Sequence, residues 1–161
     1  MTSPLRDMDD EARATISDLL ASARHAALAV IDPEDGLPNV SRIAFARTPE
    51  GAPMTLISDL SGHAEALKNA ADAALLVGEP GAKGDPLTHP RLSLRVKATF
   101  HRHGSPTHAA LAKHYVQQAP KVKLYIGFGD FSIVTFEVRD GFLNGGFGKA
   151  YPVTAEDVAK L

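Results

Sequence analysis

Cysteine is absent from all 161 residues of this sequence. Disulfides, thiolate metal sites and cysteine nucleophiles are therefore excluded, so demanding redox chemistry would require a bound cofactor. No apolar run approaches the length needed to cross a bilayer. The first ten residues carry three aspartates where a secretion signal has a basic and then an apolar stretch. We therefore expect a cytoplasmic protein with no membrane partner.

An excess of basic charge is also missing. The 17 lysines and arginines are scattered and are outnumbered by 19 acidic residues, which gives a formal net charge of −2 at pH 7. Nucleic acid is therefore not expected as a partner. Hydrophobic residues make up 44% and charged residues 22%, as in an average soluble protein. Together with the length, this predicts a single domain, residues 1–161, with its own core.

Short strands dominate the periodicity. Helical spacing predicts helices at 12–23, at 61–71, from Ser105 to about 118, and from Thr154. Alternating or short apolar runs predict six strands, at residues 26–31, 39–46, 54–57, 73–77, 92–101 and 131–138. Many short strands with few helices favour a mainly β protein with flanking helices (α+β), in which the sheet closes into a barrel.

Breakers interrupt residues 79–90, which contain Pro80, Pro86 and Pro90. We expect this segment to be an exposed, mobile loop that is long enough to act as a lid. Glycine also recurs around Phe128 and Phe147, without the spacing of a phosphate-binding loop. Burial in the barrel is the favoured interpretation for these two aromatic residues, and the alternative is that they border a bound ligand or a neighbouring subunit. His101 and His103 share a strand face but have no third ligand nearby in sequence, so no metal site is predicted.

Two segments carry polar groups that suit a ligand. Ser41 and Arg42 are adjacent on a strand, for which a half-buried strand with one solvated arginine is the favoured interpretation from pattern alone. In the second segment, 56–63, hydroxyls, Gly62 and His63 cluster where a strand leads into a helix N-terminus, a natural anion site. The alternative is that Ser61 caps the helix and His63 faces water. The residues alone leave these two interpretations about even.

The order of several motifs resembles one known family. The matching stretches are RHAALA at 24–29, SRIAFA at 41–46, LISDL at 56–60, His63 with Leu67 and Asn69, GDPL at 84–87, PRLSL at 90–94, GFGDF at 127–131 and GGFGKA at 145–150. They cover the chain from about residue 24 to 150. The sequence resembles the pyridoxamine 5'-phosphate oxidase-related FMN-binding split-barrel family, and within it the haem-utilisation (HugZ-like) branch.

The resemblance implies a six-stranded antiparallel split barrel that works as a homodimer and binds FMN at the interface. In the family, the strand matching 41–46 lies along the flavin, the segment matching 58–63 holds the phosphate, and a polar residue at the position of Arg91 lies near the ring edge. The implied cofactor-binding residues are Ser41, Arg42, Ile43, Ala44, Ile57, Ser58, Asp59, Ser61, His63 and Arg91. No catalytic residue is assigned.

Two departures limit the implied activity. Oxidases that make vitamin B6 carry an arginine-lysine pair where this chain has Gly62 and His63, and they end in a basic strand that this sequence lacks. Haem-degrading members usually carry a further C-terminal domain, which does not follow Leu161 in this sequence. The resemblance therefore implies an oxidoreductase acting on a small or tetrapyrrole substrate, with haem among the candidates. The alternative is a non-catalytic flavin- or haem-binding carrier or sensor.

Overall fold

A computed structural model describes residues 5–161 of the chain; the start of the N-terminal segment considered above, residues 1–4, lies outside them. The helices are α1 (Asp10–Ser22), α2 (Gly62–Asn69), α3 (Pro106–Gln118) and α4 (Ala155–Ala159). The strands are β1 (His25–Ile31), β2 (Pro38–Ala44), β3 (Ala46–Arg47), β4 (Pro53–Ser58), β5 (Asp72–Val77), β6 (Arg91–His101), β7 (Phe131–Asn144) and β8 (Ala150–Thr154). Two short 3₁₀ turns, Pro86–Thr88 and Pro120–Leu124, complete the order.

Side chains adjacent to the helices fix where three of them begin. Asp9 accepts a hydrogen bond from the Ala12 N–H, 2.7 Å away, at the head of α1. Ser105 caps α3 in the same way, and Pro106 occupies the first turn, where its missing N–H costs nothing. Thr154 and Asp157 form a reciprocal capping box at α4. The predicted starts of the last two helices are thereby confirmed.

The strands form one antiparallel sheet with the order β2-β1-β5-β6-β7-β4-β3. β7 pairs with β6 from Ile133 to Asn144, with β4 through its first five residues, and with β8 through its last five. The two ends of the order, β2 and β3, are separated in the chain by Phe45 alone. The sheet therefore curls back on itself, as a split barrel requires.

The predicted count of six strands is wrong, because the sheet has eight. β3 is only two residues long, and β7 continues from Val138 to Asn144, where it pairs with β8. A bulge lies at this continuation: Asp140 pairs with Arg95 and Val138 with Val96, which leaves Arg139 without a partner in the ladder. The charged pair after Val138 suggests a strand end in sequence, but both side chains form ion pairs across the sheet surface.

Two apolar clusters hold the sheet and helices together. The larger cluster fills the inside of the curl, and α1 and α2 pack against the sheet there with their buried side chains. It includes Leu28, Leu75, Leu94 and Phe136, each less than 2% exposed. The second cluster lies under α3, where Tyr115 packs with Met54, Leu56, Val122, Ile126 and Ile133. β4 is therefore covered on both faces, which explains why its first five residues are all buried.

The exposed surface includes most of the loop 79–90 and two phenylalanines. The loop 79–90 is exposed over residues 79–88, as predicted, and it contains the first 3₁₀ turn. Phe128 and Phe147 were expected inside the barrel, but they are 56% and 81% exposed, because both lie in turns beyond the ends of strands. Among residues 5–161, no helix is long and apolar enough to cross a membrane.

Gly141 gives the first testable prediction. It lies opposite Leu94, and a Cβ added to it would approach the Ser93 carbonyl oxygen to 2.5 Å. Gly141→Ala should therefore lower the free energy of unfolding by about 1–3 kcal/mol, the usual cost of overpacking. Gly127→Ala is the matched control, because nothing lies within 4 Å of its added Cβ. Equal urea midpoints for the two variants would show that β6 and β7 do not approach this closely.

Candidate functional site

A contact between β2 and α2 joins the two segments that the sequence singled out. Ser41 Oγ lies 3.1 Å from Nδ1 of His63, although the residues are 22 positions apart. Ser41 pairs with the buried Leu28 in the ladder, so its side chain is on the inner side of the sheet. His63 lies in the first turn of α2 and is half-buried. The polar strand and the helix N-terminus therefore meet at one place.

The N-terminus of α2 has no side-chain cap. Ser61 occupies the cap position, but its hydroxyl donates instead to the Ser58 carbonyl oxygen, 2.6 Å away. The N–H groups of Gly62 and His63 have no partner within the helix. No heavy atom lies within 4 Å of where a Cβ on Gly62 would be, so space is open beside this turn. Ser61 therefore occupies the cap position without a side-chain cap bond, and His63 is half-buried rather than directed fully at water.

Burial controls the charge of His63. Desolvation lowers the pKa of its imidazole from the ordinary value of 6.5, so the ring is neutral at neutral pH. When the Ser41 hydroxyl donates to Nδ1, the ring proton sits on Nε2 and is available as a donor. An anion placed beside the ring would raise the pKa of the imidazole and so act against the effect of burial. The site therefore offers two backbone donors and one ring donor to a negative ligand.

Ser58 and Asp59 have structural partners. The Ser58 hydroxyl donates to Asp130 Oδ2, 2.7 Å away, and Asp59 accepts from Lys68 Nζ at 2.6 Å. The hydrogen bond from Lys68 holds the pKa of the Asp59 carboxyl below its usual range. The Asp59 N–H also donates to the Asp130 carbonyl at 2.8 Å. These bonds fix the backbone between β4 and α2. Asp130 was not among the predicted residues, although its motif at 127–131 was noticed.

The remaining residues of β2 and β4 divide between two faces. Ile43 and Ile57 are 5% and 1% exposed in the core, so only their backbone groups can meet a ligand. Arg42 and Ala44 pair with Ala27 and His25 and point to the outer face. The Arg42 side chain is exposed and makes no hydrogen bond or ion pair with the rest of residues 5–161. It is a free cation, but it lies on the other face from Ser41.

Arg91 does not join this group within one chain. It opens β6, which is separated from β2 by β1 and β5 on one side and by β7 and β4 on the other. Its Nη1 donates to the carbonyl oxygens of Leu87 and His89, at 2.9 and 3.3 Å. Arg91 therefore lies on a different part of the sheet from Ser41 and His63.

The histidines at the end of β6 are not arranged for a metal. Nδ1 of His101 is 3.0 Å from Thr107 Oγ1, and its Nε2 is 2.9 Å from Thr135 Oγ1. Both ring nitrogens are therefore hydrogen-bonded to hydroxyl groups. His103 stacks edge-on against His108. Within residues 5–161, no group of three or more histidines and carboxylates is placed to hold a metal ion.

Comparisons with known proteins relate this geometry to solved structures. One solved structure is 39% identical, covers 95% of this chain and 98% of its own, and superposes with a TM-score of 0.84. A heme binding protein from Mycobacterium smegmatis is 27% identical over 95% of this chain, with a TM-score of 0.82. The chain spans 62% of that protein's length. No family model matches the sequence. No curated protein matches it either.

More distant structures share the fold. HutZ, the heme storage protein from Vibrio cholerae, is 20% identical over 81% of this chain and 92% of its own, with a TM-score of 0.71. A general stress protein 26-related protein of the pyridoxinephosphate oxidase family from Clostridium acetobutylicum is 15% identical, covers 94% and 99%, and has a TM-score of 0.69. These neighbours share the split-barrel fold of this chain, and they include heme-binding or heme-storage proteins and a member of the pyridoxinephosphate oxidase family, the family that the sequence resembles.

The lowered pKa of His63 predicts a pH dependence of stability. Because the folded pKa lies below the unfolded value of 6.5, the unfolded state takes up protons first as the pH falls. Stability is therefore full above about pH 6.5 and is lost as the pH falls through the lowered pKa. Burial acts in the same direction on His101 and His108. Urea unfolding at pH 7.5 and 5.5 should show lower stability at pH 5.5, and a smaller loss for His63→Gln; a pH-independent midpoint contradicts this.

Proposed function

We propose that the protein is a homodimeric FMN-binding flavoprotein, with residues 1–161 as one FMN-binding domain, and that it is an oxidoreductase acting on a small or tetrapyrrole substrate. The observation that carries this proposal is the contact between Ser41 and His63. It brings the strand expected to lie along the flavin next to the helix N-terminus expected to hold the phosphate.

The groups at the head of α2 fit the terminal phosphate of FMN. A phosphate monoester carries nearly two negative charges and accepts several hydrogen bonds. The N–H groups of Gly62 and His63 would donate to it, with the His63 ring and Ser41 beside them. The backbone of Arg42–Ala44 would then border the ring system. When bound, FMN supplies the electron-transfer chemistry, while these residues bind and orient it.

An apolar patch on the outer face of the sheet supports the homodimer. The ladder places Val40, Ala29 and Ala74 in one cross-strand row, which continues into the Arg95–Asp140 ion pair, and Ala27, Leu76, Ser93 and Phe142 in the next row, which begins at Arg42. Val40, Leu76 and Phe142 are 66%, 45% and 37% exposed, and Ile31 beside them is 52% exposed. Small alanines between large apolar side chains leave a flat surface. A second copy of the chain is the partner that would cover it and bring its own Arg91 to the site.

The second candidate is a non-catalytic carrier or sensor of flavin or haem. Two neighbours favour it, because one is a heme binding protein and another a heme storage protein. Turnover of NAD(P)H with an electron acceptor supports the enzyme, whereas tight binding without turnover supports the carrier. Mass spectrometry of ligands released from freshly purified protein tells flavin from haem.

The proposed phosphate site predicts selectivity for FMN over FAD, because FAD has no terminal phosphate. Flavin fluorescence titration should show tight binding of FMN alone. His63→Ala should weaken FMN binding roughly ten- to a hundredfold, as expected for losing a hydrogen bond to a charged group. His103→Ala is the control, since its side chain is exposed and outside the site. Normal FMN affinity of His63→Ala would show that the phosphate binds elsewhere.

If the apolar patch on the outer face is the dimer interface, a charged residue in it should dissociate the dimer. Leu76→Lys places a charge in the centre of the apolar patch and should produce monomers in analytical ultracentrifugation. Leu124→Lys is the matched control, because Leu124 is 80% exposed in a 3₁₀ turn outside the sheet. A ligand shared by both subunits should make the wild-type dimer more resistant to dilution when FMN is present. A wild-type monomer that binds FMN stoichiometrically would refute the shared site.

A further inference from the structure

His89 organises the loop 79–90 through both of its ring nitrogens. Nδ1 lies 3.1 Å from the Gly81 nitrogen, and Nε2 lies 2.8 Å from the Lys83 carbonyl oxygen. A backbone N–H only donates and a carbonyl only accepts, so Nδ1 must be bare and Nε2 must carry the proton. The two partners therefore specify a neutral imidazole in one tautomer.

These two bonds are the main attachment of the first half of the loop. Within residues 5–161, no other hydrogen bond or ion pair involves residues 80–84. Glu79, just before them, forms an ion pair with His25 at 3.7 Å. A Cβ on Gly81 would lie 2.9 Å from Cε1 of His89, so the ring is packed directly against the backbone. Because residues 79–88 are all exposed, burial adds little to hold the loop closed.

The second half of the loop connects the ring to Arg91. The Asp85 side chain accepts from the Leu87 N–H at 2.9 Å and fixes the 3₁₀ turn. The carbonyl oxygens of Leu87 and His89 then accept from Arg91 Nη1. Nε and Nη2 of the guanidinium make no hydrogen bond within residues 5–161 and are available to a ligand. The direction in which Arg91 points is thus set by the closed loop.

We infer that His89 is a positioning residue: in its neutral form it closes the loop 79–90 and thereby orients Arg91 toward the flavin edge. The role of Arg91 rests on the proposed function, whereas closure of the loop does not. Protonation of the ring would direct an N–H from Nδ1 at the Gly81 N–H, which removes that bond and sets two donors against each other.

Charged groups of both signs surround this loop. Glu79 and Asp85 carry negative charge, and Lys83 and Arg91 carry positive charge. The elements that border the loop contribute His25, at the start of β1, and Lys149, in the turn after β7, which is paired with Glu11. Among the described residues, the His89 ring is hydrogen-bonded only to the backbone of Gly81 and Lys83.

Trypsin cleavage after Lys83 measures closure without any ligand. His89→Leu removes both bonds and should speed cleavage at pH 7.5 about tenfold or more. His89→Gln keeps one donor and one acceptor, so it should be cleaved at a rate near that of wild type. In ¹H–¹⁵N spectra at pH 7.5, the Gly81 amide proton should move upfield in His89→Leu, which lacks its acceptor, and stay near its wild-type position in His89→Gln. Equal cleavage of wild type and His89→Leu, or an unchanged Gly81 amide in His89→Leu, overturns the closure.

A double-mutant cycle measures the positioning of Arg91. His89→Leu should weaken FMN binding several-fold in the wild-type background and have no further effect in an Arg91→Ala background. An undiminished effect of His89→Leu without Arg91 would overturn the positioning role while leaving the cleavage result intact. If wild-type protein binds no FMN, the proposed function and the role of Arg91 fail together, and the trypsin and Gly81 measurements still decide closure.

Discussion

Phe45 alone separates β2 from β3, and this short connection joins the two ends of the curled sheet. The free side of β2 therefore approaches β4, and β4 leads directly into α2. His63 can then reach Ser41, although the two residues are 22 positions apart in the chain. Buried side chains from nearly every strand hold the curl closed, so the site depends on the packing of the whole sheet. A change that opens the sheet would separate the two segments before it altered either one.

Local signals were sufficient for much of the fold. The caps of α3 and α4 lie within three residues of the N–H groups they bind, so sequence alone predicts them. The alternation in β6 likewise reports one buried face directly. Strand ends were harder, because the extension of β7 depends on partners far away in sequence. In sequence, Asp140 suggests the end of a strand, because nothing near it shows that Arg95 pairs with it across the ladder.

The sequence indicated which segments form the site, but it did not indicate which side chains within them are in contact. Ser41 and Arg42 are neighbours in sequence, but the pleat sends them to opposite faces, and only the strand register shows which face meets α2. Ser61 has the residue type of a helix cap, yet its hydroxyl is used by Ser58. Asp130 and His89 had no local signal that would distinguish them from other loop residues. Their importance comes from the atoms they meet after folding.

Two groups that the resemblance assigns to one flavin lie on separate strands of the sheet. His63 is at the β4–α2 end, while Arg91 is on β6, with other strands between it and β2 in both directions. A homodimer with the site at its interface reconciles these positions, and the exposed apolar rows on the outer face provide a surface for it. The closed loop 79–90 would then present Arg91 of one subunit to the flavin held by the other.

The central claim is that the open N-terminus of α2 binds the phosphate of FMN. It is tested most directly by titrating ¹⁵N-labelled protein with FMN and following the backbone amides by NMR. A phosphate that accepts from the N–H groups of Gly62 and His63 should move these two amide proton resonances downfield more than any others. Saturable FMN binding that leaves both resonances in place, with the largest shifts elsewhere in the chain, would contradict the claim.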